Sequence, residues 1–82
     1  MNKTLREELA DYAHDAWSGW MKYLFSKSTF NPDGSVTIPK ESVDRWTMQM
    51  NTKYDDLPED MKRSDRDEAD VITMLFNMHN KK

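Results

Sequence analysis

Apolar residues recur at three- and four-residue steps over the first third of the chain, and this spacing predicts a long amphipathic helix. A Thr-x-x-Glu capping box at Thr4 and Glu7 predicts its start, and no proline interrupts it before about Ser26 or Lys27. Two neighbouring apolar stripes share the predicted helix: Leu5, Leu9, Ala13, Ala16, Trp20 and Leu24 in one, and Ala10, His14, Trp17, Met21 and Phe25 in the other.

A turn and a short strand are predicted in the middle of the chain. Residues 31–34 read Asn-Pro-Asp-Gly, a turn signature, and residues 35–38 read Ser-Val-Thr-Ile, which favours a strand. A partner strand at residues 28–30 would complete a hairpin that needs helices to pack on. Pro39 ends the strand and opens a second helix that is predicted to reach Asn51. Its buried face is predicted to hold Val43, Trp46 and Met50.

Two start signals divide the last third of the chain. Leu57-Pro58 ends the preceding segment, and Pro58 suits the first position of a short helix. Ser64, with Asp67 three residues later, predicts the start of a separate final helix from about Asp65 to His79. Its predicted inward stripe is Ala69, Ile72, Leu75, Phe76 and His79.

These elements predict a mainly α fold with three helices and a short β-strand or hairpin between the first and second. Gly19 interrupts the first helix at a cost of about 1 kcal/mol against Ala, which suggests a close backbone approach there; the alternative is a tolerated Gly on a packed face. The predicted core brings together the terminal helices, with Trp46 closing one end; its other members are Leu9, Ala13, Trp20, Ile72 and Phe76.

Length and composition limit the kind of protein. The 82 residues, of 9.8 kDa, predict a single domain over residues 1–82 with a modest core. The absence of cysteine excludes disulfides and thiol chemistry. Fifteen acidic against twelve basic side chains give a net charge of −3, which disfavours nucleic acid as a partner. With no long apolar run and no signal peptide, we expect a cytoplasmic protein without a membrane partner.

Catalysis has little support in the sequence. With only Gly19 and Gly34, no Gly-rich phosphate loop exists, and two histidines at opposite ends do not favour a Ser-His-acid arrangement. Asp11, His14 and Asp15 do not converge on a metal ion when they share a helix. We therefore predict a non-enzymatic protein with no cofactor and no metal.

Two pairs of side chains could hold a nucleotide. His14 and Trp17 stand one turn apart on the first helix, so a purine could stack on the indole while the imidazole donates a hydrogen bond. Arg45 and Gln49 stand four residues apart and offer a planar fork and an amide to phosphate or base edges. The alternatives are that His14 and Trp17 belong to the core and that Arg45 pairs with Glu41.

Tyr54, Lys62 and Arg66 complete the candidate site. Lys62 and Arg66 share a face only if the helix is continuous across Ser64. A phosphate site here requires that Arg66 turns inward towards Tyr54 or Trp17. The alternatives are a solvated charged surface and an Arg66 that holds Asp56 or a carbonyl across the turn.

Several of these residues form a pattern that resembles the ryanodine-receptor-type domain. The His-x-x-Trp element at His14 and Trp17, the Leu-Pro-acidic turn before Lys62 and the Asp-Arg pair ending at Arg66 carry the resemblance, over residues 9–25 and 54–76. The middle departs from the family, which usually shows Gly-Trp-x-Tyr-Gly where residues 30–34 read Phe-Asn-Pro-Asp-Gly.

The stretch at residues 45–54 is similar to small bacterial and phage single-domain relatives of that family. The resemblance implies a binder of a nucleotide-derived signalling molecule, one that sequesters the signal in an anti-defence role and acts in the host cytoplasm if viral. The ligand-binding residues would be His14, Trp17, Arg45, Gln49, Tyr54, Lys62 and Arg66.

Two further expectations concern protein partners. The competing function is a protein-interaction module that docks a host or phage protein through a Met-rich surface of Met48, Met50, Met61, Met74 and Met78. A homo-oligomer is also expected, since the first helix has more apolar surface than one partner helix needs. A symmetric dimer is the commonest closed form.

Overall fold

The computed structural model describes residues 3–81, and within them the chain forms three α-helices and one two-stranded hairpin. In chain order the elements are α1 (Leu5–Ser26), β1 (Thr29–Phe30), β2 (Val36–Thr37), α2 (Lys40–Met50), one turn of 3₁₀ helix (Tyr54–Asp56) and α3 (Glu59–His79). The predicted fold class, mainly α with a short hairpin between the first and second helices, is confirmed.

The capping signal of α1 is confirmed at its first turn. The backbone N–H of Glu7 donates to Oγ1 of Thr4 over 3.1 Å, which satisfies one of the donors that a helix start leaves without an intrahelical partner. The close approach expected at Gly19 is wrong. Apart from the adjoining residues and the nearby backbone of α1 itself, no described atom lies within 4 Å of a Cβ placed there.

The hairpin is fixed by its turn. Phe30 pairs with Val36 in the antiparallel register, and the N–H of Gly34 donates to the carbonyl of Asn31 over 3.0 Å. Gly34 has a φ of +90°, a backbone conformation that residues with a Cβ rarely adopt. Oδ1 of Asp33 accepts from both the hydroxyl and the backbone N–H of Ser35, at 2.6 and 2.9 Å.

The separate helix start predicted at Ser64 is wrong, because α3 runs without a break from Glu59 to His79. The N–H groups of Met61 and Lys62 already donate to the carbonyl of Pro58. The helix has therefore been propagating for more than a turn when it reaches Ser64. Continuing it costs less than starting a new helix there.

The chain divides into two compact units. The first unit combines residues 1–16 with residues 58–82. Leu5, Leu9, Tyr12 and Ala16 lie half-buried along one face of α1 in this unit. On α3, Met61 is buried, and Nε2 of His79 lies 3.2 Å from Oε2 of Glu8 on α1.

The half-buried face of α3 is rotated about the helix axis relative to the predicted inward stripe. Leu75 and His79 are half-buried as predicted, and Val71 joins them, whereas Ala69, Ile72 and Phe76 are exposed. Apolar residues cover so much of the circumference of this helix that their period does not fix which edge packs. The predicted core is wrong in the same way, because its members Ala13, Trp20, Ile72 and Phe76 are all exposed.

The second unit holds residues 17–57, with the end of α1, the hairpin, α2 and the 3₁₀ turn. Leu57, where this unit ends, is buried. On α2, Ser42, Trp46 and Gln49 are half-buried. The prediction that Val43 and Met50 share the buried face with Trp46 is wrong, since both are exposed.

Among the helices within residues 3–81, none has both the length and the apolar character that crossing a membrane requires.

Candidate ligand-binding surface

Three aromatic rings meet in the second unit. Trp20 and Tyr23 stand three residues apart on α1, and their rings stack with centroids 5.3 Å apart at an interplanar angle of 12°. Trp46 of α2 meets both rings near their edges, with its centroid 5.7 Å from Trp20 and 6.4 Å from Tyr23. We call these three residues the aromatic cluster. Stacked and edge-to-face pairs of this kind stabilise their contact beyond the area that they bury.

The aromatic cluster is open to solvent on its α1 side. Trp20 is 47% exposed and Tyr23 is 43% exposed, while Trp46 is half-buried. Trp17 lies three residues before Trp20 on the same helix and is 60% exposed. An incoming planar group would therefore find accessible aromatic surface in the second unit.

Positive charge stands beside this surface. Lys27 directly follows the last residue of α1, and its Nζ lies 5.5 Å from the ring centroid of Tyr23 in a cation–π contact. Residues 17–57 contain five basic and five acidic side chains, whereas the other unit contains seven and ten. The net charge of −3 thus belongs entirely to the first unit. An anion meets no net repulsion from the charges of the second unit.

The helix α2 carries the polar residues of the candidate site. Gln49 follows Trp46 by three residues and is half-buried with it. Arg45 is exposed and lies one turn before Gln49, so the four-residue relationship predicted between them holds in α2. Tyr54 is exposed in the 3₁₀ turn. Four of the seven predicted ligand-binding residues, with Trp17 as the fourth, lie in residues 17–57.

The other three predicted residues, His14, Lys62 and Arg66, belong to the acidic first unit. Because α3 is continuous across Ser64, Lys62 and Arg66 stand one turn apart on one helix. Nη1 of Arg66 lies 3.1 Å from Oε2 of Glu59, in an ion pair between exposed groups. This carboxylate neutralises part of the positive charge that Arg66 would offer to a phosphate.

The sequence-based prediction missed the aromatic cluster as a site. It placed Trp20 and Trp46 in the core and left Tyr23 unassigned. The spacing of Trp20, Tyr23 and Lys27 was the available signal, since steps of three and four residues put two rings and a cation on one side of α1. The contact of Trp46 with them depends on the placement of α2 and has no comparable signal.

Within residues 3–81, no three His, Asp or Glu side chains come together in a geometry that could hold a metal ion. No protein-family model matches the chain, and neither the curated proteins nor the solved structures contain a match. The resemblance to the ryanodine-receptor-type domain therefore stays a prediction.

Proposed function

We propose that the chain is a non-enzymatic binding module that holds a planar, nucleotide-type anion on the surface of residues 17–57. The observation that carries the proposal is the aromatic cluster, in which Trp20 and Tyr23 stack on each other and remain nearly half exposed. Stacking of one base on an aromatic side chain contributes about 1 to 3 kcal/mol and tolerates any base. Trp17, one turn earlier on α1, would widen the stacking surface.

The charged part of the ligand would be held from α2 and from the end of α1. Arg45 offers a planar guanidinium that can donate two parallel hydrogen bonds to a phosphate. Gln49 offers an amide to a base or ribose edge, and Lys27 supplies a second positive charge beside Tyr23. The balanced charge of residues 17–57 supports this assignment over one centred on the acidic first unit.

Stacking and charge-assisted hydrogen bonds suffice for this function, so we propose that the ligand is released chemically unchanged. A nucleotide-derived signalling molecule fits the chemistry of the surface. The resemblance to small bacterial and phage domains suggests sequestration of such a signal in the cytoplasm as the biological role.

Calorimetric titration and thermal-shift measurement test the proposal, with cyclic dinucleotides, cyclic ADP-ribose isomers and ADP-ribose as the panel. A ligand that binds the folded state should raise the melting temperature, and the rise should grow with the logarithm of the free ligand concentration once that concentration exceeds the Kd. All three tryptophans lie in residues 17–57, so binding should also change the intrinsic fluorescence. The absence of heat and of a thermal shift for every member at millimolar concentration would contradict the proposal. Release of an altered nucleotide would instead establish an enzyme.

A protein-interaction module is the second candidate function. Val43, Met48 and Met50 are exposed on α2, and Phe30 of β1 is exposed while its ring lies 6.0 Å from that of Phe25. Flexible methionines and exposed rings are common at docking surfaces. Met61, which was expected in this surface, is buried and does not belong to it. Stability that does not respond to any small molecule would favour this candidate.

Self-association is also part of the proposal. The large apolar side chains that remain exposed on α1, α2 and α3 could be covered by a second copy of the chain. Light scattering over the micromolar range measures this directly.

A further inference from the structure

Charged and apolar residues are separated along α3. Residues 59–70 contain six acidic and three basic side chains, and residues 71–78 contain no charged side chain at all. After this uncharged stretch, His79 and Lys81 follow. The helix is therefore acidic in its first half and apolar in its second.

The apolar half of α3 is only partly covered. Val71, Leu75 and His79 are half-buried on one face. On one flank of that face Ile72 is 46% exposed and Phe76 is 48% exposed, one turn apart. Met74 and Met78 are exposed as well, and the 3.6-residue period places them on the opposite flank. Each flank is a separate apolar surface, so a single partner helix would cover one and leave the other.

We infer that the flank of Ile72 and Phe76 binds the same flank of a second copy of the chain, in an antiparallel pair of α3 helices. A two-fold axis between the two positions sets Ile72 of each copy against Phe76 of the other. The contact between Ile72 of one copy and Phe76 of the other therefore occurs twice, related by the two-fold axis, as a symmetric dimer requires. A patch built from two different apolar residues one turn apart is complementary to itself in this arrangement.

The charges on α3 select the second copy and its direction. In a parallel pair the two acidic halves would lie side by side, each with three more acidic than basic side chains, and like charges would repel. In an antiparallel pair the acidic half of each α3 lies beyond the apolar half of the other copy's α3. It therefore lies near the C-terminal end of that other helix, where Lys81 of the second copy is located. The two helix dipoles then also oppose each other favourably.

This inference deepens the self-association included in the proposed function, because it names the surface and the direction of pairing. It does not depend on the ligand, whose binding is measured separately on residues 17–57. If the wild-type protein is monomeric, self-association is contradicted altogether. If the protein remains a dimer after substitution of Phe76, only the pairing through α3 is contradicted.

The first experiment measures mass by light scattering and sedimentation across micromolar concentrations. Wild-type protein should give twice the 9.8 kDa monomer mass. Phe76→Asp and Ile72→Asp should each give the monomer, because a carboxylate would be desolvated against an apolar side chain. Met78→Asp is the matched control on the opposite flank and should stay dimeric. Circular dichroism confirms that each variant keeps its helices, so that loss of the dimer is not loss of the fold.

The second experiment measures direction. Because the chain has no cysteine, a single introduced cysteine carries one spin label per copy. In the antiparallel pair, labels at Arg63→Cys should lie about 35 Å apart and labels at Asn77→Cys about 15 Å apart, given a rise of about 1.5 Å per residue. Equal short distances at both positions would show a parallel pair and overturn the inference. So would a dimer that survives both Ile72→Asp and Phe76→Asp.

Discussion

The indole of Trp20 and the phenol ring of Tyr23 stack with centroids 5.3 Å apart on consecutive turns of α1. Local helix geometry alone brings these two side chains together. Trp46 of α2 contacts this pair edge to face, with its ring centroid 5.7 Å from that of Trp20. The stacked pair is thus both a packing element of residues 17–57 and the accessible surface on which we propose that the ligand lies.

Removal of the Trp46 ring should destabilise the protein. Trp46→Ala deletes two aromatic contacts and a half-buried side chain, and we expect a loss of about 2 to 4 kcal/mol in the free energy of unfolding. Trp17→Ala is the matched control, with an expected loss below about 1 kcal/mol because its ring is mostly exposed. Urea denaturation measures both. Equal losses for the two variants would contradict the importance of Trp46 in the cluster.

The two glycines should respond to alanine in opposite directions. Gly19→Ala places a methyl group in open space within α1 and should stabilise the fold by about 1 kcal/mol. Gly34→Ala forces a Cβ onto a residue with a φ of +90° and should destabilise it by about 1 kcal/mol. Thermal unfolding of both variants gives the signs. If Gly19→Ala destabilised the protein, that result would support the close backbone approach predicted from the sequence.

The cap of α1 should contribute to stability through one hydroxyl. Thr4→Ala removes the acceptor of the Glu7 N–H and should cost about 1 kcal/mol. Thr4→Ser keeps the acceptor and should retain most of the stability. Chemical denaturation distinguishes them, and identical losses in Ala and Ser variants would assign the effect to the lost methyl group instead.

Acidification should loosen the turn of the hairpin. Hydrogen bonds from the side chain and the backbone N–H of Ser35 lower the pKa of Asp33 below its ordinary 3.8. A lowered pKa in the folded state contributes stability that is present above pH 3.8 and is lost as the pH falls through the lowered value. NMR titration of the Asp33 carboxyl carbon should show the lowered pKa, and titration of the hairpin amides should show the loosening of the turn at the same pH.

Ser35→Ala tests the cause of that shift. It removes the hydroxyl donor and should return the pKa of Asp33 towards 3.8. Ser26→Ala is the control, because its hydroxyl donates to the carbonyl of Tyr23 and not to Asp33. An unchanged Asp33 titration in Ser35→Ala would show that the hydroxyl is not the source of the shift.

The proposed ligand should depend on Arg45 more than on other arginines. Arg45→Ala should weaken binding by about 1.5 to 3 kcal/mol, the range for a hydrogen bond to a charged group, with the fold intact. Arg63→Ala removes the same charge from the acidic first unit and should have little effect. Calorimetric titration compares the two. Equal weakening would mean that the ligand responds to net charge and not to a guanidinium at position 45.

Some residue relationships in the candidate site were predictable from the sequence, and others were not. The four-residue step from Arg45 to Gln49 was predictable because it lies within one helix, and α2 preserves it. Lys62 and Arg66 share a helix face only if the helix continues through Ser64, and the sequence wrongly predicted a new start at that residue. The contact of Trp46 with Trp20 and Tyr23 joins two helices that are separated by a hairpin. No spacing along the chain encodes such a contact.

The sequence by itself determined the kind and order of the elements and most of their limits, apart from the start of α3. Thr4 caps α1, residues 31–34 form the turn, and Pro39 and Pro58 precede the starts of α2 and α3. Each signal acts through backbone conformation or a hydrogen bond within a few residues, so it operates without tertiary contacts.

Only the tertiary structure decided which edge of each helix is covered. The inward face of α2 holds Ser42, Trp46 and Gln49, and not Val43 and Met50; on α3, Val71 takes the place expected for Ile72 and Phe76. Apolar residues spread over much of each helix surface, and the hydrophobic effect favours burial of any of them about equally per unit area. The neighbouring element therefore selects the buried edge, and the apolar residues left outside it form the surfaces that we propose for binding.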